Sequence, residues 1–180
     1  MLFDTKRRYD INKEEWGQNM QEVFPNLFVG NQADYDDKPE LFWKGWSIIH
    51  AAKFPYHRSA LGYQTKAAPK GPGYFFVYNS KGELCLNIVD CDDPSFFNEG
   101  MIHEAVNFAS LSLSKGMKVL IHCNQGESRS PVIAILVMKK MGFYHECSFE
   151  LAEVRFKQLY QNYHPKNGIR QFAISNWEAF

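Results

Sequence analysis

Residues 118–142 restrict the fold more than any other part of this chain. Lys118-Val-Leu-Ile121 is short, apolar and rich in β-branched residues, with no polar alternation. A strand of that kind belongs inside a parallel sheet covered by helices on both faces. After the turn His122-Cys-Asn-Gln-Gly-Glu-Ser-Arg-Ser130, Ser130 and Pro131 open a helix that runs through Met141 and stops at Gly142. It is apolar nearly all round, so it too requires a buried central position. A buried strand feeding a buried helix through a tight turn is the signature of an α/β sheet.

The flanking sequence fits the same plan. Residues 1–20 read as a polar lead-in, with Asn12 and Glu15 spaced as a capping box. Asn26 to Gly30 and Ser47 to Ala51 read as strands, with a helix between them from Asp36 to Lys44 and Pro39 near its start. Lys53 to Gly73 is rich in Pro, Gly, Lys and aromatic residues without periodicity, which predicts a long surface loop. Tyr74–Tyr78 and Glu83–Val89 flank Asn79-Ser-Lys-Gly82, a link with turn chemistry that predicts a hairpin. Ile102, Ala105, Val106, Ala109 and Leu113 share a helical face ahead of a capping Gly116. Two amphipathic helices follow the buried one, the last marked by Ile169, Phe172, Ala173, Asn176, Trp177 and Phe180. The expected fold is a single α/β domain over residues 21–180: a central, mostly parallel twisted sheet flanked by helices, with an inserted loop and hairpin around 53–80.

Composition narrows the function classes. Twenty Lys plus Arg balance twenty Asp plus Glu, which argues against a protein held on nucleic acid or membrane by its overall field. No basic leader followed by an apolar core opens the chain, and no apolar run approaches the ~20 residues of a membrane span. Cysteines at 85, 91, 123 and 147 form no CxxC pair, which fits neither a disulfide framework nor a zinc knuckle. The expectation is a cytoplasmic monomer with reduced thiols, no metal and no cofactor. His145 and Cys147 have no further ligands at useful spacing.

The chemistry lies in the turn. A strand-to-helix loop of this length points successive backbone N–H groups into one concavity, backed by the positive end of the helix, and so forms an anion site from Asn124, Gln125, Gly126, Glu127, Ser128 and Arg129. Gly126 lets the backbone curl. Arg129 adds a planar fork that holds two phosphoryl oxygens and follows charge into the transition state. Free thiols titrate near ~8.5, and electropositive helix N-termini lower that to roughly 3.5–7.5, so Cys123 is expected as the thiolate nucleophile. Ser130 is placed to donate to the sulfur, and His122 to brace the loop. Expulsion of an alkoxide or phenoxide calls for a general acid opposite the thiolate, for which Asp90, Asp92 and Asp93 stand in an acidic turn after a strand. Spacing alone does not choose among the three.

HCNQGESRS matches the C-x5-R-[ST] signature of the cysteine-dependent protein tyrosine phosphatases and most resembles their dual-specificity branch. Val23-Phe-Pro-Asn-Leu-Phe-Val-Gly30 resembles that family's opening strand, and Asn162 to Phe172 its closing segment, so most of residues 21–178 is covered. The resemblance implies a phosphatase-like fold and a cysteinyl-phosphate mechanism without metal. It gives Cys123 the nucleophile role, Arg129 the clamp and Asp92 the acid, with Asp90 as second choice. Phosphotyrosine and phosphoserine or phosphothreonine in proteins are the implied substrates. RNA 5'-phosphate, nucleotide or ADP-ribose phosphate is the alternative, so nucleic acid enters only as substrate; a non-catalytic phosphate-binding module is the other.

Two departures bear on substrate. Residues 53–80 are longer than the corresponding family segment, and Glu127 stands where the family usually has an apolar or aromatic residue. Lipid-directed relatives carry lysines inside the loop, whereas Asn124, Gln125 and Glu127 offer none, which argues against phosphoinositides. Lys53, His57, Arg58, Lys66 and Lys70 suggest a basic wall beside the pocket, set against the plainer reading of a solvated face. Cys91 is either an ordinary thiol, as Cys85 and Cys147 are expected to be, or a disulfide partner that protects Cys123 under oxidation.

Overall fold

The apolar strand Lys118–His122 has parallel neighbours on both sides, as its sequence requires. The computed structural model describes residues 20–37 and 44–180. Within them, strands β1 (Gln21–Phe24), β2 (Leu27–Gly30), β3 (Trp46–His50), β4 (Phe76–Tyr78), β5 (Leu84–Leu86) and β6 (Lys118–His122) form one sheet in the order β1-β2-β6-β3-β5-β4. The four central strands run parallel, and the edge strands β1 and β4 pair antiparallel with β2 and β5. Helices are α1 (Gln32–Asp36), α2 (Arg58–Leu61), α3 (Glu99–Ser114), α4 (Arg129–Lys140), α5 (Phe149–Leu159) and α6 (Asn167–Ser175).

Side chains of a strand alternate between faces, and the two faces here differ in kind. Leu27, Val29, Ile49, Val119 and Ile121 join the main core, which α3, α4, α5 and α6 complete. Phe28, Ile48 and Leu120 point the other way, into a small cluster with Met20, Tyr35, Trp46 and Tyr56. α4 is the axis of the main core. Every residue from Arg129 to Met138 is buried, and the helix touches α3, α5, α6, β2 and β6. Its N-terminus is thereby fixed directly beyond the end of β6.

Three expectations are revised. The first helix starts at Gln32 and ends at Asp36, because Asn31 and Asp34 form a reciprocal capping box (2.7 and 3.0 Å) that sets its start. Residues 38–43 of the expected 36–44 helix lie outside the described residues, as does the Asn12–Glu15 box. The stretch read as loop contains a helical turn at Lys53–His57 running into α2, and a 3-10 turn at Pro72–Tyr74. Turns of three to five residues are too short to leave a hydrophobic period in the sequence. The hairpin forms, though shorter than expected, and Gly82 takes the positive φ of 77° that its turn needs.

Leu136 is fully buried in α4. Leu136→Ala is expected to cost about 2–5 kcal/mol, measured as a lower urea midpoint with an unchanged denaturant slope.

Candidate active site

The turn between β6 and α4 is shaped from behind. The Asn124 carbonyl accepts from Gln32 N–H (3.3 Å), that of Gln125 from Asn162 Nδ2 (3.5 Å), that of Gly126 from the Tyr160 hydroxyl (2.9 Å) and that of Glu127 from His164 N–H (2.9 Å). A peptide whose C=O points outward points the following N–H inward. Four consecutive peptides are held this way, so their N–H groups converge on the concave side. Gly126 has φ 74°, and a Cβ there would sit 3.1 Å from the Gly30 carbonyl oxygen and the Tyr160 hydroxyl. Only glycine fits without displacing the scaffold.

Cys123 sits at the base of this concavity with 1% exposure. Its Sγ accepts from Gly126 N–H (3.3 Å) and from the Ser130 hydroxyl (3.2 Å), the partner expected from sequence. Arg129 is 6% exposed; Nη2 donates to Asn124 Oδ1 (2.8 Å) and Nη1 to the Ile88 carbonyl (3.5 Å). Its buried Nε has no hydrogen-bond partner among the described residues. A buried guanidinium N–H beside converging amides is a site that lacks an acceptor, and a tetrahedral oxyanion supplies one. His122 is fully buried, and desolvation first, then His50 and Arg129, hold its ring well below the ordinary histidine range despite an opposing effect of the Cys123 backbone. It is a neutral brace at this position.

The three acidic candidates separate. Asp90 Oδ1 accepts from Ser128 Oγ (2.7 Å), and Ser128 Oγ accepts from Lys166 N–H (2.9 Å), so Asp90 is tied to the loop itself. Asp92 is exposed and accepts from Asn167 N–H (3.2 Å) at the start of α6. Asp93 accepts from Ser95 N–H (2.9 Å) and caps the turn Pro94–Phe96. Gly168 lets α6 press against this segment: its N–H donates to the Cys91 carbonyl (3.2 Å), and a Cβ there would collide with that oxygen. Cys91 is half-buried, with its Sγ on the Asp93 carbonyl (3.5 Å), and burial pushes its thiol up.

The inserted segment meets the loop through its backbone. Lys53 N–H donates to the Ile88 carbonyl (3.0 Å), and the Phe54 carbonyl accepts from Asn124 Nδ2 (2.9 Å), which leaves the Phe54 ring 55% exposed beside the cradle. His57 is fully buried against the Tyr63 hydroxyl (3.0 Å). Arg58 donates to the carbonyls of Tyr63 (2.9 Å) and Gln64 (2.7 Å) within the insertion. Of Lys53, His57 and Arg58, only the Lys53 side chain has no hydrogen bond within the insertion among the described residues. Sequence reasoning missed Tyr160 and Gln32, which act through contacts distant in the chain, whereas Asn162, His164 and Lys166 fall within the closing segment, Asn162 to Phe172, flagged by resemblance.

No protein-family model matches the chain. It is 28% identical over 162 residues to dual specificity protein phosphatase 1B of Arabidopsis thaliana, covering 89% of this chain and 86% of that protein. It is 30% identical over 133 residues to dual specificity protein phosphatase 26 of Mus musculus, covering 73% of this chain and about half, 54%, of that relative. The fold superposes on the crystal structure of DUSP15 with a TM-score of 0.63 at 19% identity, over 89% of this chain and 88% of that one.

The buried His57 makes the insertion sensitive to acid. Burial, outweighing a backbone contact with Tyr74, lowers it from 6.5 to about 4, so between those values the unfolded chain binds a proton that the folded chain rejects. Stability from this group is complete above pH 6.5 and falls toward pH 4, by up to about 3 kcal/mol. Urea unfolding at pH 7 and pH 5 should show a smaller loss on acidification for His57→Phe than for the native chain.

Proposed function

Because the chain belongs to the dual-specificity branch of the cysteine-dependent protein tyrosine phosphatases, we propose that it removes phosphate from phosphotyrosine and phosphoserine or phosphothreonine in proteins through a cysteinyl-phosphate intermediate. The observation that carries this reading is the cradle: converging backbone N–H groups and an unpartnered Arg129 Nε around Cys123 Sγ. A phosphoryl group there places its oxygens on these donors with its phosphorus above the sulfur. The thiolate attacks, an S–P bond forms, and the bond to the leaving oxygen breaks as the general acid protonates that oxygen. Water then attacks the thiophosphate, the same carboxylate takes its proton, and the sulfur departs stabilised by the Ser130 hydroxyl at 3.2 Å. Arg129 and the amides hold the charge that spreads over the equatorial oxygens.

Asp92 is the acid in this reading, with its carboxylate fixed by Asn167 N–H at the start of α6. The Ser128–Asp90 bond favours Asp90 as the second reading, since that carboxylate already touches the loop. Lys53 is the candidate substrate contact from the insertion. Protein substrates are favoured over RNA 5'-phosphate or nucleotide by what the similar proteins are described as dephosphorylating. Intact Cys123, Arg129 and Ser130 disfavour a non-catalytic binder. Four free cysteines suit a cytoplasmic setting, and no helix among the described residues is long and apolar enough to cross a membrane.

Hydrolysis of p-nitrophenyl phosphate in the presence of chelator tests the chemistry. Cys123→Ser is expected to lower the rate at least ~10³-fold, and no phosphate release by the native chain would sink the reading. Phosphopeptides compared with 5'-phosphorylated RNA and nucleotides test the substrate class, with the peptides expected to give the highest kcat/KM. On phenyl phosphate, a poor leaving group, Asp92→Asn should lose roughly 10²-fold in kcat and far less on p-nitrophenyl phosphate. The same pattern in Asp90→Asn instead would move the acid role there.

A further inference from the structure

Glu83, just before β5, His50 of β3 and His122 of β6 form a polar ladder, and the phosphoryl-transfer steps leave the first two without a task. β3 and β6 pair with His50 opposite His122, and β3 pairs with β5 with His50 opposite Cys85. By alternation, the two histidines share the face that carries Ile48 and Leu120. The contacts are direct: His50 Nδ1 lies 2.6 Å from His122 Nε2, and His50 Nε2 lies 3.2 Å from Glu83 Oε2. Exposures of Glu83, His50 and His122 are 9%, 1% and 0%. Tyr56 stacks on His50 (4.2 Å, 14°) and Tyr35 on His122 (5.2 Å, 8°), so both rings are fixed in plane.

The charges around the ladder assign its protons. Burial alone would push the Glu83 carboxyl up, but hydrogen bonds from His50, Asn79 and Tyr35 outweigh it and bring the group to about 2, so Glu83 is an anion. Around it, burial and then bonds to Glu83 and Asp36 push the Tyr35 and Tyr56 phenols up, and burial pushes the Cys85 thiol up to about 12; all three are neutral. Asp36 takes the Tyr56 hydroxyl (2.8 Å), Lys81 Nζ reaches the Tyr35 hydroxyl (3.3 Å), and Arg129 faces His122 from α4. A buried carboxylate is costly without a cation in contact, and the ring in contact is His50. A separation of 2.6 Å is also short for a neutral pair and suits a charge-assisted bond.

We propose that Glu83 and His50 are positioning residues for Cys123: Glu83 holds a second proton on His50, which donates to His122 Nε2 and fixes that ring as the Nδ1–H tautomer behind the cradle. His122 Nδ1 is buried without a partner in hydrogen-bond geometry, and the Cys123 backbone is the polar group beside it. The ladder thus orients the residue from which the loop springs. It also sets a positive ring behind a sulfur that must work as an anion. This inference rests on the reading of Cys123 as a thiolate nucleophile.

Nitrogen-15 spectra of histidine-labelled native protein test the proton positions without any substitution. Both His50 nitrogens are expected to be protonated at pH 7, with His122 protonated at Nδ1 and bare at Nε2; a bare nitrogen on His50 overturns the proposal. Glu83→Gln keeps the shape and removes the charge. Alkylation of Cys123 by iodoacetamide, followed on its own peptide by mass, should reach half its maximal rate at a pH higher by about half to one unit in this variant. The rate on the acidic limb should then be roughly 3–10-fold slower with the plateau unchanged. A low native midpoint matched by the folded variant overturns the ladder. An ordinary thiol midpoint in the native chain overturns the nucleophile reading itself, so the two failures are distinguishable.

Discussion

The site depends on which way four peptide groups face. In a free turn the carbonyls of Asn124 to Glu127 would sample either side, and an inward carbonyl would repel a phosphoryl oxygen. Donors from Gln32, Tyr160, Asn162 and His164 take all four from outside, so the amides are left pointing in before any ligand arrives. Preorganisation of this kind means the donors need not reorient during reaction, which is where electrostatic catalysis gains over water. The donors come from both chain ends of the domain, from the start of α1 and from the segment after α5. That is why a nine-residue motif needs most of the chain to be folded around it.

The sheet divides the labour between its faces. On the main-core side, α4 is held so tightly that its first turn, with Arg129 and Ser130, has no freedom to move away from β6. On the other side the cluster is small, and its rim near the loop is built of ionisable groups and phenols instead of aliphatic ones. A purely apolar rim would pack as well. From Glu83, just before β5, one line of hydrogen bonds instead passes through His50 on β3 to His122 on β6, the residue preceding Cys123. Buried side chains linked by hydrogen bonds in this way fix geometry more narrowly than methyl groups do.

What could be read from the sequence was what is local and strongly patterned. The strand at 118–121, the buried helix after Ser130, the hairpin at 79–82 and the glycine at 126 all follow from residue type and spacing, and with them the nucleophile and clamp candidates. Short turns in 53–73 were hidden because five residues of helix carry no period. The Gln32 helix start was hidden because an Asn-x-x-Asp box is a weaker signal than a proline. The scaffold donors were invisible for a different reason: Tyr160 and Gln32 look like ordinary polar residues until the fold brings them behind the turn. His50 was hidden in the same way, since only the pairing of β3 with β6 shows that it is buried against His122.

The insertion shows how burial changes the meaning of a charge pattern. Five basic residues between 53 and 70 suggest either an electrostatic wall or a solvated face, and their contacts in the fold differ from one to the next. Arg58 spends its guanidinium on two carbonyls and on the Phe54 ring, 4.8 Å from its centroid, and His57 is held neutral inside the fold. What the segment turns toward the cradle is the backbone of Lys53 and Phe54 and an exposed aromatic ring. Lys66 and Lys70 stay exposed on the insertion, while Arg129 is buried at the loop.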